Sequence, residues 1–204
     1  MAKQKTKQKS RGKGRKVVDK WKSKAWYQVY APDMFDQKEI AEVPATEDSK
    51  LIDRVLRVSL GDLTGDMTKS YLNLKFRITE VKGKSAFTKL IGHYLSSSYM
   101  RSLVRRRRSI VDDVVDVVTS DDVKLRVKVA VFTSRRLSTE SRTAMRLEMR
   151  HELLEHSKQT DFNTLEQEII FGKLASKLYK VAKKVAPVKR VEIRKTEVVE
   201  SFAA

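Results

Sequence analysis

Two histidines in a helical pattern are the first side chains of this sequence that could hold a metal ion. His151 and His156 lie five positions apart. Histidines on one helix share a metal when they are four positions apart, whereas a spacing of five turns them about 140° from each other. We therefore expect a polar helix surface and no shared zinc. His93, the third histidine, has no evident partner in the sequence.

A run of aspartates could do acid–base chemistry or bind magnesium. It comprises Asp112, Asp113, Asp116, Asp121 and Asp122. On a strand the first and third would share one face, the second would point the other way, and the last two fall in a turn. This favours a surface that pairs with basic neighbours, with a metal-dependent nuclease as the alternative. Phosphate-loop, Rossmann, nucleophile-elbow and EF-hand patterns are lacking. We predict no enzyme, no metal site and no cofactor.

Positive charge is the strongest feature of the chain. Its 204 residues include 44 Lys and Arg against 26 Asp and Glu, for a formal net charge of +18. Three segments carry this excess: residues 1–16 at +8, 101–110 at +5 and 173–195 at +8, while the remaining 155 residues net −3. A near-neutral body with basic additions predicts a polyanionic partner.

Guanidinium groups suit phosphate oxygens, and aromatic rings can stack on bases. The candidate RNA-binding residues are Lys3, Lys5, Lys7, Lys9, Arg11, Lys13, Arg15, Lys16, Lys20, Trp21, Lys22, Lys24, Trp26, Arg105, Arg106, Arg107, Arg108, Arg135, Arg136, Lys189, Arg190, Arg194 and Lys195. Each group has a plainer alternative. The tail 1–16 could be a solvated solubility segment, the tryptophans could be core residues, and one or two of the four adjacent arginines could complement a helix dipole.

The elements that must position these residues begin with strands. Period-two alternation predicts strands over 51–60, 71–81, 85–92, 110–119, 123–132 and 190–199, and 25–31 is extended before Pro32. In 123–132 the even-numbered face is basic, so this strand presents charge outward. Turns are predicted at 61–66, 82–84 and 120–122, and 38–50 is predicted as loop with at most one short strand.

Helices follow in the second half of the chain. The pattern predicts helices over 97–108, 138–157, 164–171 with Asn163 as N-cap and Glu166 at N3, and 173–185, which ends before Pro187. Strands first and helices later predict an α+β fold, with an antiparallel β-barrel-like core and helices packed to one side. We divide the chain into a disordered basic tail that would bind RNA (1–16), a single domain (17–199) and a flexible C-terminus (200–204).

Several compartments are disfavoured by composition. No segment approaches the ~18 apolar residues that a membrane span requires, and the basic N-terminus is not followed by an apolar signal region. Residues 1–16 also lack the apolar face of a mitochondrial transit peptide. The chain has no cysteine, which excludes disulfides and thiolate zinc sites and fits a reducing compartment.

An ordered set of motifs resembles one protein family. The opening Lys20-Trp21-Lys22-Ser23-Lys24-Ala25-Trp26-Tyr27, followed by Ala31-Pro32 and Phe35, is similar to the start of the archaeal and eukaryotic small-ribosomal-subunit family called S-one-e or S-three-a-e. Further matches are Arg54-Val55, Val58-Ser59-Leu60, Asp62-Leu63, Gly92, Tyr99 to Arg106, Thr119, Asp121, Thr133, Arg136, Pro187 and Arg190 to Lys195. Asp53 and Asp122 depart from it, because the family usually has glycine at these positions. The resemblance spans about 17–199, and the short C-terminus is similar to that of archaeal members.

The resemblance implies a structural constituent of the small ribosomal subunit in translation, with a β-barrel core and flanking helices. It would lie on the platform and contact small-subunit rRNA and neighbouring ribosomal proteins, with messenger RNA near the exit region as a further candidate partner. It implies a cytoplasmic location on the ribosome, no membrane and no small-molecule substrate. The alternative is a free-standing basic RNA- or DNA-binding module. A peripheral membrane protein that binds through 173–185 is another.

Overall fold

A computed structural model describes residues 21–199, so the predictions for 1–16, for Lys20 and for 200–204 lie outside it. The described strands are β1 (Ala25–Tyr30), β2 (Glu39–Ala45), β3 (Val55–Ser59), β4 (Leu72–Lys82), β5 (Ser85–Leu95), β6 (Ile110–Val118), β7 (Lys124–Thr133) and β8 (Val188–Val198). The helices are α1 (Leu60–Thr64), α2 (Ser97–Leu103), α3 (Thr139–Gln159), α4 (Phe162–Ile170) and α5 (Lys173–Val185). The assignment of 17–199 to a single domain stays a prediction.

The period-two segments form the strands that they predict, except that residues 51–54 of the segment 51–60 form a turn and β3 begins only at Val55. In β4 the alternating Leu72, Leu74, Phe76 and Ile78 are buried, while the residues between them are partly exposed. The basic face of β7 points outward as predicted, with Lys124 and Arg126 exposed. One strand was underestimated: residues 39–45 form a regular strand that pairs with β1, and Pro44 is tolerated because β2 is an edge strand.

The strands join into one open sheet. Its order is β2-β1-β5-β8-β7-β6. Strand β4 pairs with the other side of β5, and β3 pairs with β4. Neighbouring strands are antiparallel except β1 and β5, which are parallel at Gln28–Tyr30. The α+β class is therefore confirmed, but the expected barrel is not closed, since β2, β3 and β6 end the sheet within residues 21–199. Closure depends on pairings between distant segments, which alternation does not encode.

The three long helices pack on the β6–β8 part of the sheet. Leu174 and Leu178 of α5 are fully buried, as their spacing predicts. They share a core with Met145, Met149 and Leu153 of α3 and with the inward valines of β6 and β7. A second core lies under β3–β5, and a third lies between β1, β2 and β4. None of the helices within residues 21–199 is long and apolar enough to cross a membrane.

Three local predictions are corrected by the structure. Residues 60–64 form α1, capped by Ser59, where a turn was predicted. Helix α2 ends at Leu103 and not at residue 108, because Val104 takes extended backbone and four adjacent like charges disfavour another turn. Helix α4 begins at Phe162, so Asn163 is not its N-cap and Glu166 is a buried core residue.

Left-handed backbone explains the two aspartates that replace glycine in the family pattern. Asp53 has φ 64° and Asp122 has φ 57°. Glycine adopts this region without cost, and aspartate is among the residues that tolerate it best. Both aspartates therefore adopt the backbone conformation that glycine favours.

Strands β5 and β8 meet at an unusually close backbone contact. Gly92 has φ 140°, and a Cβ atom added to it would lie 2.2 Å from the carbonyl oxygen of Thr196. Beside it the amide of His93 donates to Thr196 Oγ1 at 3.1 Å, and the His93 ring lies 3.0 Å from the Ile193 oxygen through Nε2. Buried Glu166 lies beneath, with Oε2 at 3.8 Å from His93 Nδ1.

We expect Gly92→Ala to lower the free energy of unfolding by about 2–4 kcal/mol, because a methyl group cannot enter this contact and the residue must keep positive φ. Urea denaturation measures the change. Gly83→Ala is the control: Gly83 also has positive φ but has nothing within 4 Å of an added Cβ, so the loss is about 1 kcal/mol. Equal losses in the two variants would show that the β5–β8 contact is not tight.

Candidate nucleic-acid interface

Thr133, at the end of β7, brings the two predicted arginine loops together. It is fully buried, and its Oγ1 accepts a hydrogen bond from the Ser109 amide at 2.9 Å and lies 2.6 Å from the Arg135 oxygen. The Thr133 amide donates to the Ser109 carbonyl at 3.1 Å. Ser109 Oγ also accepts from the amide of Leu137 at 3.0 Å. The loop of Arg105–Arg108 therefore lies beside the loop of Arg135 and Arg136.

The arginines of these loops are presented to solvent. Arg105, Arg106 and Arg107 are exposed, as are Arg135 and Arg136. Arg108 is half-buried, and its Nη1 is buried without a hydrogen bond among residues 21–199. Helix α2 ends at Leu103, so Arg106, Arg107 and Arg108 lie beyond its last turn. The guanidinium groups remain available for an external anion.

The start of β8 adds a third cationic segment. The Ser134 amide donates to the Pro187 carbonyl at 3.0 Å, which places the residues after Pro187 next to the arginine loops. Arg105, Lys189 and Arg190 line a cleft of about 460 Å³ together with Tyr99. We call this set the basic edge: Arg105–Arg108, Arg135, Arg136, Lys189 and Arg190.

Arg190 is held in place within the basic edge. It pairs with the Glu192 carboxylate, and its guanidinium carbon lies 5.6 Å from the centroid of the Tyr99 ring. Tyr99 OH donates to Glu192 Oε1 at 2.9 Å. Burial and then the Glu192 carboxylate raise the pKa of Tyr99, so this hydroxyl stays a donor. Burial alone would lower the pKa of Arg190, but Glu192 outweighs it and the net shift is upward.

Arg194 and Lys195 do not belong to the basic edge. They line a separate groove of about 270 Å³, farther along β8, with Arg57, Lys75 and Tyr94. Glu197 offsets part of this charge, since it contacts Lys195 and lies 3.2 Å from Lys75 Nζ. Burial raises the pKa of Glu197, but hydrogen bonds from these two lysines prevail and lower it. Arg57 and Lys75 were missed, although their outward positions on alternating strands could have indicated them.

The two tryptophans are surface residues, which removes the core alternative. Trp21 is 65% and Trp26 57% exposed, and Lys24 Nζ lies 3.8 Å from the centroid of the Trp21 ring. Lys22 is exposed beside them. However, β1 meets β5 at Ser85–Phe87, the opposite end of β5 from the residue that pairs with β8. The tryptophans therefore lie away from the basic edge.

Three of the five aspartates make hydrogen bonds within the fold. Asp113 accepts from Arg150 at 2.8 Å, and Asp116 accepts two bonds from Arg126 at 2.7 and 2.9 Å, which lower the pKa of Asp116. Asp121 accepts from the amide of Phe162 at 3.1 Å, so it caps α4 from a neighbouring turn. Among residues 21–199 no group of three or more His, Asp or Glu could hold a metal.

The two helix histidines diverge, as their spacing predicts. His151 is exposed and lies 3.4 Å from Glu155, whereas His156 is mostly buried and lies 3.2 Å from Glu168 of α4. Lys177 of α5 also approaches the same Glu168 carboxylate at 3.3 Å. His156 thus takes part in helix packing.

Cations gathered at one edge of a sheet, around a cleft, are typical of proteins that bind a phosphate backbone. The family model described as "Ribosomal S3Ae family" matches residues 12–201. The chain belongs to this family, which confirms the resemblance seen in the sequence motifs.

Curated relatives agree with this assignment. The chain is 43% identical over 188 residues to a small ribosomal subunit protein eS1 of Methanopyrus kandleri, covering 90% of this chain and 89% of that protein. It is 42% identical over 186 residues to the protein of the same name from Methanothrix thermoacetophila, covering 91% and 88%. A third, from Saccharolobus islandicus, is 36% identical over 188 residues, covering 92% and 90%.

The junction of the two arginine loops can be tested directly. We expect Thr133→Val to lower the free energy of unfolding by about 1–3 kcal/mol, because the half-buried Ser109 amide loses its acceptor. Hydrogen exchange at Ser109 and Leu137 should accelerate as the loops separate. The control is Thr143→Val on the exposed face of α3, which changes stability by about 0.5 kcal/mol or less. Unchanged exchange at both amides in Thr133→Val would contradict the junction.

Proposed function

We propose that this chain is a structural constituent of the small ribosomal subunit and binds its rRNA through the basic edge. The observation that carries the proposal is the junction at Thr133 and Pro187, which collects cations from three distant segments in one place. Membership of the Ribosomal S3Ae family and the names of the archaeal relatives support the ribosomal setting. The role is structural and not enzymatic.

Binding at the basic edge proceeds by neutralisation of phosphates and by positioning. Arg106 and Arg107 extend from a loop that ends at Ser109, which is hydrogen-bonded to Thr133. Because this contact already orders the loop backbone, binding of RNA does not incur the entropic cost of ordering it. Guanidinium forks bind phosphate oxygens bidentately and give orientation as well as attraction. The shape of the sheet edge, more than contact with base edges, selects the RNA site.

The finer parts of the proposal rest on the family resemblance. The protein would lie on the platform near the messenger exit region of a cytoplasmic ribosome, against rRNA and neighbouring small-subunit proteins. Sedimentation tests this against a free-standing nucleic-acid-binding module: we expect co-migration with small subunits at moderate salt. A protein that remains at the top of the gradient at that salt would favour the free-standing module.

The salt dependence of rRNA binding tests the basic edge. Each phosphate contact adds about −0.7 to −0.9 to the slope of log K against log salt. We expect Arg106→Gln with Arg107→Gln to make the slope shallower by about one to two, as measured with small-subunit rRNA by filter binding.

The matched control removes the same charge elsewhere. Lys84→Gln with Lys158→Gln changes two exposed lysines, one in the turn after β4 and one near the end of α3. This control should leave the slope close to that of the unmodified protein. If the two double variants change the slope equally, binding depends on net charge and the basic edge has no special role.

Residues 1–16 provide a second test, based on composition alone. They carry eight basic residues and no acidic residue, and no apolar residue after Ala2. Removal of 1–16 should weaken rRNA association and make the salt slope shallower without lowering the Tm of the body. A marked fall in Tm would show that this segment is structural.

A further inference from the structure

A second groove adjoins the basic edge and differs from it in chemistry. It lies between the α4–α5 turn, α5 and the start of β8, and has a volume of about 570 Å³. Phe171, Tyr179 and Tyr71 contribute aromatic walls, and Lys180 and Lys183 contribute cations. Lys189 and Arg190 line both this groove and the cleft of the basic edge, so the two are continuous. We call it the α5 groove.

The backbone of the α4–α5 turn presents Phe171 at the mouth of the groove. Helix α4 ends at Ile170, and Gly172 with φ 80° redirects the chain into α5. Phe171 is left 53% exposed, whereas its neighbours Ile169 and Ile170 are buried. Lys69 Nζ lies 5.3 Å from the centroid of the Phe171 ring. An exposed aromatic ring beside cations offers a surface for stacking.

The opposite wall of the groove is formed by residues that already contact one another or the basic edge. The rings of Tyr71 and Tyr99 stack with centroids 3.9 Å apart and planes 15° apart. Glu192 is occupied by the Tyr99 hydroxyl and by Arg190. Its negative charge is therefore largely offset, and the cations at the mouth of the groove retain an excess over the acidic residues that line it.

A base and a phosphate together satisfy both features of the α5 groove. In duplex RNA the bases are stacked inside and present only backbone and shallow edges. An unpaired nucleotide offers a flat ring for Phe171 and a phosphate for the lysines. An acidic peptide would match the cations but would leave the aromatic surface unused.

We propose that the α5 groove binds an unpaired nucleotide of the small-subunit rRNA, with its base stacked on Phe171 and its phosphates near Lys183 and Lys189. The proposal rests on the proposed function, because it takes the rRNA held at the basic edge as the source of the nucleotide. Lys189 and Arg190 then guide the strand from the basic edge into the groove.

Binding of the full chain to short RNAs tests the stacking contact. The probes are oligouridylate of about twelve nucleotides and a blunt duplex of the same length. Phe171→Ala should weaken binding to oligouridylate about five- to fiftyfold and leave duplex binding unchanged, and Phe171→Trp should retain binding. Leu147→Ala removes a similarly exposed apolar side chain on α3 and should change neither.

Three results would overturn the proposal. One is equal binding of oligouridylate by Phe171→Ala and the unmodified chain. Another is an equal loss for oligouridylate and duplex. The third is competition by a polyglutamate peptide as effective as competition by oligouridylate of equal charge, which would define a general polyanion site.

The source of the nucleotide is tested in small subunits assembled with Phe171→Ala and free of messenger RNA. One or a few unpaired rRNA nucleotides should gain reactivity towards a reagent that acylates flexible 2′-hydroxyl groups, which reads all four nucleotides. A second preparation carries added messenger RNA, and if reactivity rises only in that messenger RNA and in no rRNA nucleotide of either preparation, the assignment to rRNA is wrong. If the groove proposal is wrong and the proposed function is right, rRNA binding by the unmodified protein still depends steeply on salt. A slope near zero for the unmodified protein contradicts the proposed function, whatever the effect of Phe171→Ala.

Discussion

The backbone contact between β5 and β8 at Gly92 holds the two halves of the sheet together. On one side lie β1–β5 with their two cores, and on the other lie β6–β8 with the long helices. Residues about 100 positions apart are joined there by hydrogen bonds from His93 to Thr196 and Ile193. Because Tyr99 follows β5 and Arg190 lies in β8, this contact also sets the walls of both grooves.

Much of the fold follows from local patterns in the sequence. Alternation located β4, β6 and β7 because each has one buried face, and the spacing of Leu174 and Leu178 located α5. Local patterns failed where tertiary contacts decide. Asp121 is 41 positions earlier in the chain but accepts a hydrogen bond from the Phe162 amide, the first of α4. This contact places the start of the helix before Asn163. The open sheet likewise depends on β5 having β4 on one side and both β1 and β8 on the other.

The candidate site was predictable by residue type but not by position. Runs of arginine identified the loops at 105–108 and 135–136, yet nothing in their spacing shows that Thr133 places them side by side. Arg194 and Lys195 appeared equivalent to Arg190 in sequence, but they line another groove. No pattern in the sequence indicated Phe171 as a surface residue, because its exposure results from the turn at Gly172 and from the burial of the residues before it.

The position of β8 determines when, during synthesis, the proposed RNA-binding surface can form. This strand follows every other element of the described chain, yet it lies between β5 and β7 in the sheet. During synthesis the N-terminal strands can pair early, but the groove walls supplied by β8 must wait until nearly all of the chain has emerged. The order of translation thus separates folding of the first half from formation of the proposed anion-binding surface.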